Sequence, residues 1–169
     1  MKSLTHSLLL ALALATGAWV PVQAQTFEQS VVAYKHKDYR TALAGFQKPA
    51  EQGDAVAQYF MGRMYDTGRG VPKDEQQAMA WYRKAAEQGV ADAQYNLGAM
   101  YYIGGEGVPR DDQSAYFWWL LANAQGDQDA AKWRDLVDRD LLPAERAAAQ
   151  ADARNWKPKI ATQSSSATR

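Results

Sequence analysis

The residues with the most chemical potential in this chain are a glycine-rich run, two acidic pairs, one basic cluster and a scatter of tyrosines. Gly104-Gly105-Glu106-Gly107 is the kind of loop whose backbone N–H groups could wrap a phosphate. Phosphate chemistry there needs a following Gly-Lys-Ser/Thr after a strand, and Val108-Pro109-Arg110 follows instead. Asp111-Asp112 and Asp138-x-Asp140 pair carboxylates that could hold a cation. His36 is the one histidine beyond His6, so one chain cannot assemble a zinc site from several imidazoles. Ser-x-x-Lys, His-Glu-x-x-His and Gly-x-Ser-x-Gly are absent, which leaves serine and zinc hydrolases without motif support. Lys35-His36-Lys37 suits a solvated helix end better than a phosphate site. With 19 Lys and Arg against 19 Asp and Glu, the chain gives no electrostatic ground for binding nucleic acid or an anionic membrane.

These residues acquire meaning from a repeat. Ala57-Gln58-Tyr59-Phe60-Met61-Gly62-Arg63-Met64-Tyr65 returns 36 residues later as Ala93-Gln94-Tyr95-Asn96-Leu97-Gly98-Ala99-Met100-Tyr101. Gly68-Arg69-Gly70-Val71-Pro72-Lys73-Asp74 returns with one inserted residue as Gly104 to Asp111, and Ala78, Trp81, Ala85 and Gly89 then match Ala115, Trp118, Ala122 and Gly126. A degenerate copy precedes them: Asp38, Ala42, Phe46, Lys48 and Glu51-Gln52-Gly53 stand 36 residues before Asp74, Ala78, Tyr82, Lys84 and Glu87-Gln88-Gly89. Self-similarity at this period is the signature of a solenoid, whose end units differ because one side faces water. The glycine run is therefore an interhelix turn like Gly68-Arg69-Gly70. Asp111 is a helix cap like Asp74, and Asp138-x-Asp140 reads as a solvated helix end.

Each unit reads as two helices. Ala57, Met61, Met64 and Tyr65 share one face of a 3.6-residue period, as do Ala78, Trp81, Tyr82, Ala85 and Ala86. Asp74 with Gln77 suggests a capping box, and Gly68 and Gly89 suit left-handed C-terminal caps. Alanines let helix axes approach, while Trp81 and Trp118 are expected to be buried at matching places. Pro49 falls inside a second helix and predicts a bend there. Gln128 to Leu141 predicts one more first helix. Pro143 opens a last helix whose Leu142, Ala149, Ala153 and Trp156 would cover the final layer.

The strings Ala91 to Tyr101, Gly68 to Asp74 and Ala78 to Gly89 resemble the Sel1-like repeat, with a close match over about residues 38 to 130. Leu142 to Trp156 also looks like the closing helix of many such proteins. The resemblance implies an all-α solenoid, a right-handed superhelix of antiparallel helix pairs close to tetratricopeptide arrays, with scaffold or adaptor roles. The expected organisation is a signal peptide at 1–24 and a repeat domain at 25–156. Within it lie a degenerate unit at 25–53, repeats at 54–89 and 90–126, and capping helices at 127–156. A disordered tail is expected at 157–169, because little there is apolar after Ile160. A cysteine-rich branch of the family is linked to β-lactam binding and hydrolysis; this chain departs from it in having no cysteine.

Residues 1–24 have the three-part layout of an export signal: Lys2, an apolar run from Leu8 to Ala15 too short to span a bilayer, and Val22-Gln23-Ala24 before Gln25. Cleavage removes Lys2 and no acid, moving the formal charge from 0 to −1. A periplasmic or secreted protein is expected. It would have no lipid tether, since the cysteine that tether needs is missing, and no membrane insertion once the signal is gone.

Most aromatic residues recur at repeat positions and belong to the core by periodicity. Ligand-facing candidates are those that differ between equivalent sites, together with neighbouring tyrosines: Tyr59, Phe60, Arg63, Tyr95, Asn96 and Tyr102. They fall off the Ala57–Met61–Met64 face, on first helices that line the inner layer where related solenoids bind peptides. Ordinary surface drift explains the same variation equally well. The expected function is an exported, monomeric, non-enzymatic protein-interaction module without cofactor or metal, binding an unidentified protein or peptide and no nucleic acid. The alternatives are a small-molecule, cell-wall glycan or hydrolase role, the glycan held by Tyr59, Tyr95 and Tyr102.

Overall fold

A computed structural model describes residues 26–159. The expected signal segment 1–24 and the tail from Ile160 onward lie outside the described residues. Eight helices follow in order: α1 (Phe27–Lys35), α2 (Tyr39–Glu51), α3 (Ala55–Thr67), α4 (Glu75–Glu87), α5 (Ala91–Ile103), α6 (Asp112–Ala124), α7 (Gln128–Val137) and α8 (Pro143–Asn155). No strand occurs among the described residues, and none of their helices is long and apolar enough to cross a membrane. Each helix packs on the next in sequence up to α7, as an α-solenoid of helix pairs requires.

The helix boundaries follow the caps. Asp38, Asp54, Asp74, Asp111 and Asp127 each accept a backbone N–H three residues on, from Thr41, Ala57, Gln77, Ser114 and Ala130. A carboxylate there satisfies an orphan donor and faces the positive end of the helix dipole. Asp111 is thus a cap, as its repeat partner predicts. Gly68 closes α3 at φ 66°, and Gly89 follows α4 at φ 95°, conformations that cost a side chain strain and glycine none. Pro49 lies within α2, and the helix continues through it to Glu51 although proline offers no N–H to the Gly45 carbonyl.

One fully buried aromatic ring per pair runs through the core: Phe46 in α2, Tyr82 in α4 and Trp119 in α6. Two are admitted by a glycine on the facing first helix. A Cβ on Gly62 would sit 2.6 Å from Tyr82 Cδ1, and one on Gly98 would sit 2.7 Å from Trp119 Nε1. The expected pair of buried tryptophans is only half realised. Trp118 is 9% exposed, but Trp81 is half-buried with the Lys84 ammonium 4.0 Å above its ring. The deep position is one residue further on, because that residue points between its own pair rather than toward the neighbouring unit.

Successive pairs are clasped by buried glutamines. Gln58 Nε2 donates to the Ala50 carbonyl (3.0 Å) and Gln94 Nε2 to the Ala86 carbonyl (3.1 Å), each reaching back to the preceding second helix. Their Oε1 atoms accept from Gln88 Nε2 (2.7 Å) and Gln125 Nε2 (2.8 Å) at the end of their own second helix. In α7 the corresponding residue is Ala131, so the clasp stops where the array stops.

The C-terminal cover departs from expectation in three places. α7 ends at Val137 rather than near Leu141, and α8 folds back onto α6. Leu142 is 63% exposed as the residue capping α8, while Leu141 is buried in its stead; Ala149, Ala153 and Trp156 do face the core. Residues 157–159 are ordered against α4: Lys159 donates its backbone N–H to the Glu87 carbonyl (2.7 Å), and its ammonium lies 3.0 Å from the Glu87 carboxylate. Pro158 meanwhile lies against Gly89.

Candidate functional site

The first helices α3 and α5 carry all six residues singled out by sequence, and the fold sorts them into different situations. Arg63 projects from α3 with its guanidinium carbon 5.6 Å from the Tyr34 ring centroid on α1 and 5.9 Å from that of Tyr59. Tyr59 is half-buried, with its ring 6.1 Å from Tyr82. Burial pushes the Tyr59 hydroxyl above the usual phenol range; Arg63 opposes this, and Asp92 on α5 adds to it. Tyr102 is tilted between Trp119 (5.6 Å) and Trp133 of α7 (5.8 Å), with the Arg110 guanidinium 5.0 Å from its centroid.

The other three are more engaged by the fold than their register suggests. Phe60 is not off the packing surface: its ring stacks on Phe46 at 4.5 Å and 5° and meets Tyr34 edge-on at 5.2 Å. It closes the core of the first pairs. Tyr95 packs its side chain against the α6–α8 core, and its carbonyl accepts from Trp119 Nε1 (3.1 Å). Asn96 Nδ2 donates to the Asp92 carbonyl one turn back (2.7 Å), a hydrogen bond within its own helix.

Four residues outside that set lie in contact with it or with one another. Tyr34 is buried beneath Arg63 and also accepts a hydrogen bond from Arg69 Nη1 (3.1 Å). Arg69 lies 5.4 Å from the Tyr39 ring centroid. Trp133 is 40% exposed and stacks on Trp119 at 6.0 Å. Only Trp133 had a sequence signal, since it occupies in the third unit the place of Phe60 and Asn96. Tyr34, Tyr39 and Arg69 come together through the docking of α1 and α2 on the turn after α3, which no repeat register reveals.

The other candidate chemistries are occupied by structure. The Gly104–Gly107 turn is closed by Glu75, whose Oε2 accepts the Glu106 N–H (3.1 Å), so a carboxylate stands where a phosphate would have to approach. Asp138 is not simply solvated, for its Oδ1 lies 2.6 Å from Arg146 Nε. No group of three His, Cys, Asp or Glu that could hold a metal ion occurs among the described residues. On the second-helix side, Met79, Arg83, Lys84 and Val108 line an open groove. Its two cations are engaged there, Arg83 with the Tyr101 hydroxyl and Lys84 with Trp81.

Fold and face together define an α-solenoid of the helix-pair repeat class, with a tyrosine- and arginine-rich first-helix layer. The Sel1 repeat family matches residues 55–90 and 91–127, so the chain carries two Sel1 repeats. A protective antigen of uropathogenic Escherichia coli with an SLR fold superposes with TM-score 0.72 at 32% identity, over 79% of this chain and 29% of that one. A Sel1 repeat protein from Oxalobacter formigenes superposes with TM-score 0.60 at 36% identity, over 64% of this chain and 44% of that one. The chain thus spans under half the length of either relative. No curated protein matches it.

Proposed function

We propose that this protein is an exported interaction module that holds a protein or peptide segment along its first-helix layer, in the inner groove of the solenoid. One observation carries this reading. Polar and aromatic side chains from successive first helices meet one another, Arg63 of α3 reaching Tyr34 of α1 and Tyr102 of α5 reaching Trp133 of α7. Such side chains give large contact area and directed hydrogen bonding at little further ordering cost, because neighbouring rings already hold them. Export rests on the order of Lys2, the apolar run and Val22-Gln23-Ala24. Among the described residues four first helices, α1, α3, α5 and α7, form the first-helix layer.

The test is photocrosslinking from Tyr59 and Tyr102 positions in an envelope extract, followed by binding measurements with the captured partner. Arg63→Ala and Tyr102→Ala are expected to weaken binding while leaving the fold intact by circular dichroism. Unchanged binding in both, with loss on altering Arg83 or Lys84, assigns the function to the opposite face. A captured cell-wall glycan instead of a polypeptide assigns it to the glycan alternative. N-terminal sequencing of the native protein that still reads Met1 refutes export.

A further inference from the structure

The N-terminal end of the first-helix layer holds two arginines around one tyrosine. The guanidinium carbons of Arg63 and Arg69 lie 5.6 and 5.9 Å from the Tyr34 ring centroid, so two full positive charges share one aromatic ring. Neither forms an ion pair among the described residues, in contrast to Arg110, Arg134 and Arg146, each of which has an aspartate within 4.0 Å. Their partners are π faces and phenol oxygens instead: Tyr34 and Tyr59 for Arg63, Tyr34 and Tyr39 for Arg69, plus the Tyr34 hydroxyl that accepts from Arg69. Aromatic faces attract a guanidinium but do not neutralise it. Guanidinium keeps its charge at any physiological pH, and its planar fork has donors left over after one hydrogen bond.

We infer that Arg63 and Arg69 receive a carboxylate from an acidic segment of the bound polypeptide. This rests on the peptide-binding reading and names the chemistry of its occupant. Three features favour a peptide carboxylate over a polyanion. The chain is close to neutral, which gives no long-range pull on nucleic acid. Asp66, which accepts from the Tyr82 hydroxyl, and Asp92, whose charge acts on Tyr59, place negative charge around the Tyr59–Tyr82 pair next along the layer, which disfavours a continuous row of phosphates. The tyrosines around the arginines suit the apolar and amide surface beside an acidic side chain. The geometry therefore favours one or two carboxylates at a defined place rather than diffuse anion binding.

The experiment uses the full mature chain with isotope-labelled arginine and follows the Arg Nε resonances. The probe is a synthetic peptide of alternating Glu and Tyr; its control replaces every Glu with Gln. Saturable shifts of Arg63 and Arg69 are expected with the acidic peptide and not with the control. Affinity should fall about tenfold or more in Arg63→Ala and in Arg69→Ala, as loss of a charge-assisted pair implies, with partial recovery in Arg63→Lys. Because Arg69→Ala also removes the bond to Tyr34, Arg69→Lys keeps the test valid if the alanine variant is destabilised. Equal binding of the control leaves the groove reading standing and overturns the carboxylate. So does the absence of shifts at both arginines with millimolar acidic peptide, or tighter binding of an oligonucleotide of equal charge. A crosslinked partner that binds both Arg variants like wild type also overturns it, whereas binding confined to the opposite face overturns both readings.

Discussion

A phenol hydroxyl at the centre of the array carries a measurable consequence. Tyr82 is 1% exposed, donates to Asp66 Oδ2 at 3.3 Å, and is held well above the usual phenol range by burial first and by the Asp66 carboxylate next. Below pH of about 10 both folded and unfolded chains keep this proton, and it contributes no pH dependence. Above that value the unfolded chain releases it and the folded chain does not, so stability falls by up to about 1.4 kcal/mol per pH unit for this group. Tyr82→Phe is expected to show a shallower loss of melting temperature between pH 9.5 and 11, with a residual slope from Tyr59 and Tyr116, which shift in the same direction. Parallel curves for variant and wild type would refute the assignment. The aromatic column supports a second comparison. Trp119→Ala, which empties a fully buried site, should cost about 3–5 kcal/mol, and Trp81→Ala clearly less, because Trp81 is only half-buried. Urea denaturation of both variants checks the order, and a larger loss for Trp81 contradicts it.

Between elements, two contacts set the spacing of pairs. Gly62 and Gly98 let Tyr82 and Trp119 lie directly on the facing helix backbone. Alanine is the better helix former by about 1 kcal/mol. Even so, Gly98→Ala is expected to destabilise by about 1–3 kcal/mol, since the new methyl overlaps a ring that cannot withdraw. A rise in melting temperature would mean that α5 and α6 separate freely. The glutamine clasp acts between units as well as within them. Gln94 is completely buried and joins α4, α5 and the end of α6 through two hydrogen bonds. Gln94→Ala strips both partners and should cost about 1–3 kcal/mol by urea titration. Gln94→Leu, which fills the volume, is expected to recover only part of it, because the Ala86 carbonyl keeps the Gly89 N–H but neither it nor the Gln125 amide regains the Gln94 bond. Recovery to wild-type stability would show that packing, not the polar clasp, joins the units.

At the scale of the molecule, α8 and residues 157–159 act as a lid on an otherwise open stack. α8 lies on α6, and the segment after Trp156 runs back to Glu87 and Gly89 at the end of α4. A chain ending at Leu142 leaves the α6 side of the core uncovered. It is expected to bind a hydrophobic dye and lose its sharp thermal transition, as an uncapped repeat array does. A sharp transition near the wild-type temperature would show that two repeats need no cover.

The order of residues by itself determined the helix-pair repeat, its period, the aspartate caps, the glycine turns and the alanine-rich faces. Each of these is local, settled by backbone chemistry or by a 3.6-residue period inside a single helix. It also marked Arg63 and Tyr102 as variable first-helix positions, while what they bind remains a proposal. Only the tertiary structure decided which neighbour of each tryptophan goes deepest, since Trp81 and Tyr82 both satisfy the periodicity and the close approach at Gly62 selects the second. It also decided that Phe60 belongs to the core, that Leu141 rather than Leu142 turns inward, and that Pro158 and Lys159 dock at the end of α4. Tyr34, Arg63 and Arg69 meet for the same reason. They come from α1, α3 and the turn after α3, and their proximity depends on how whole helices pack, which short-range pattern does not encode.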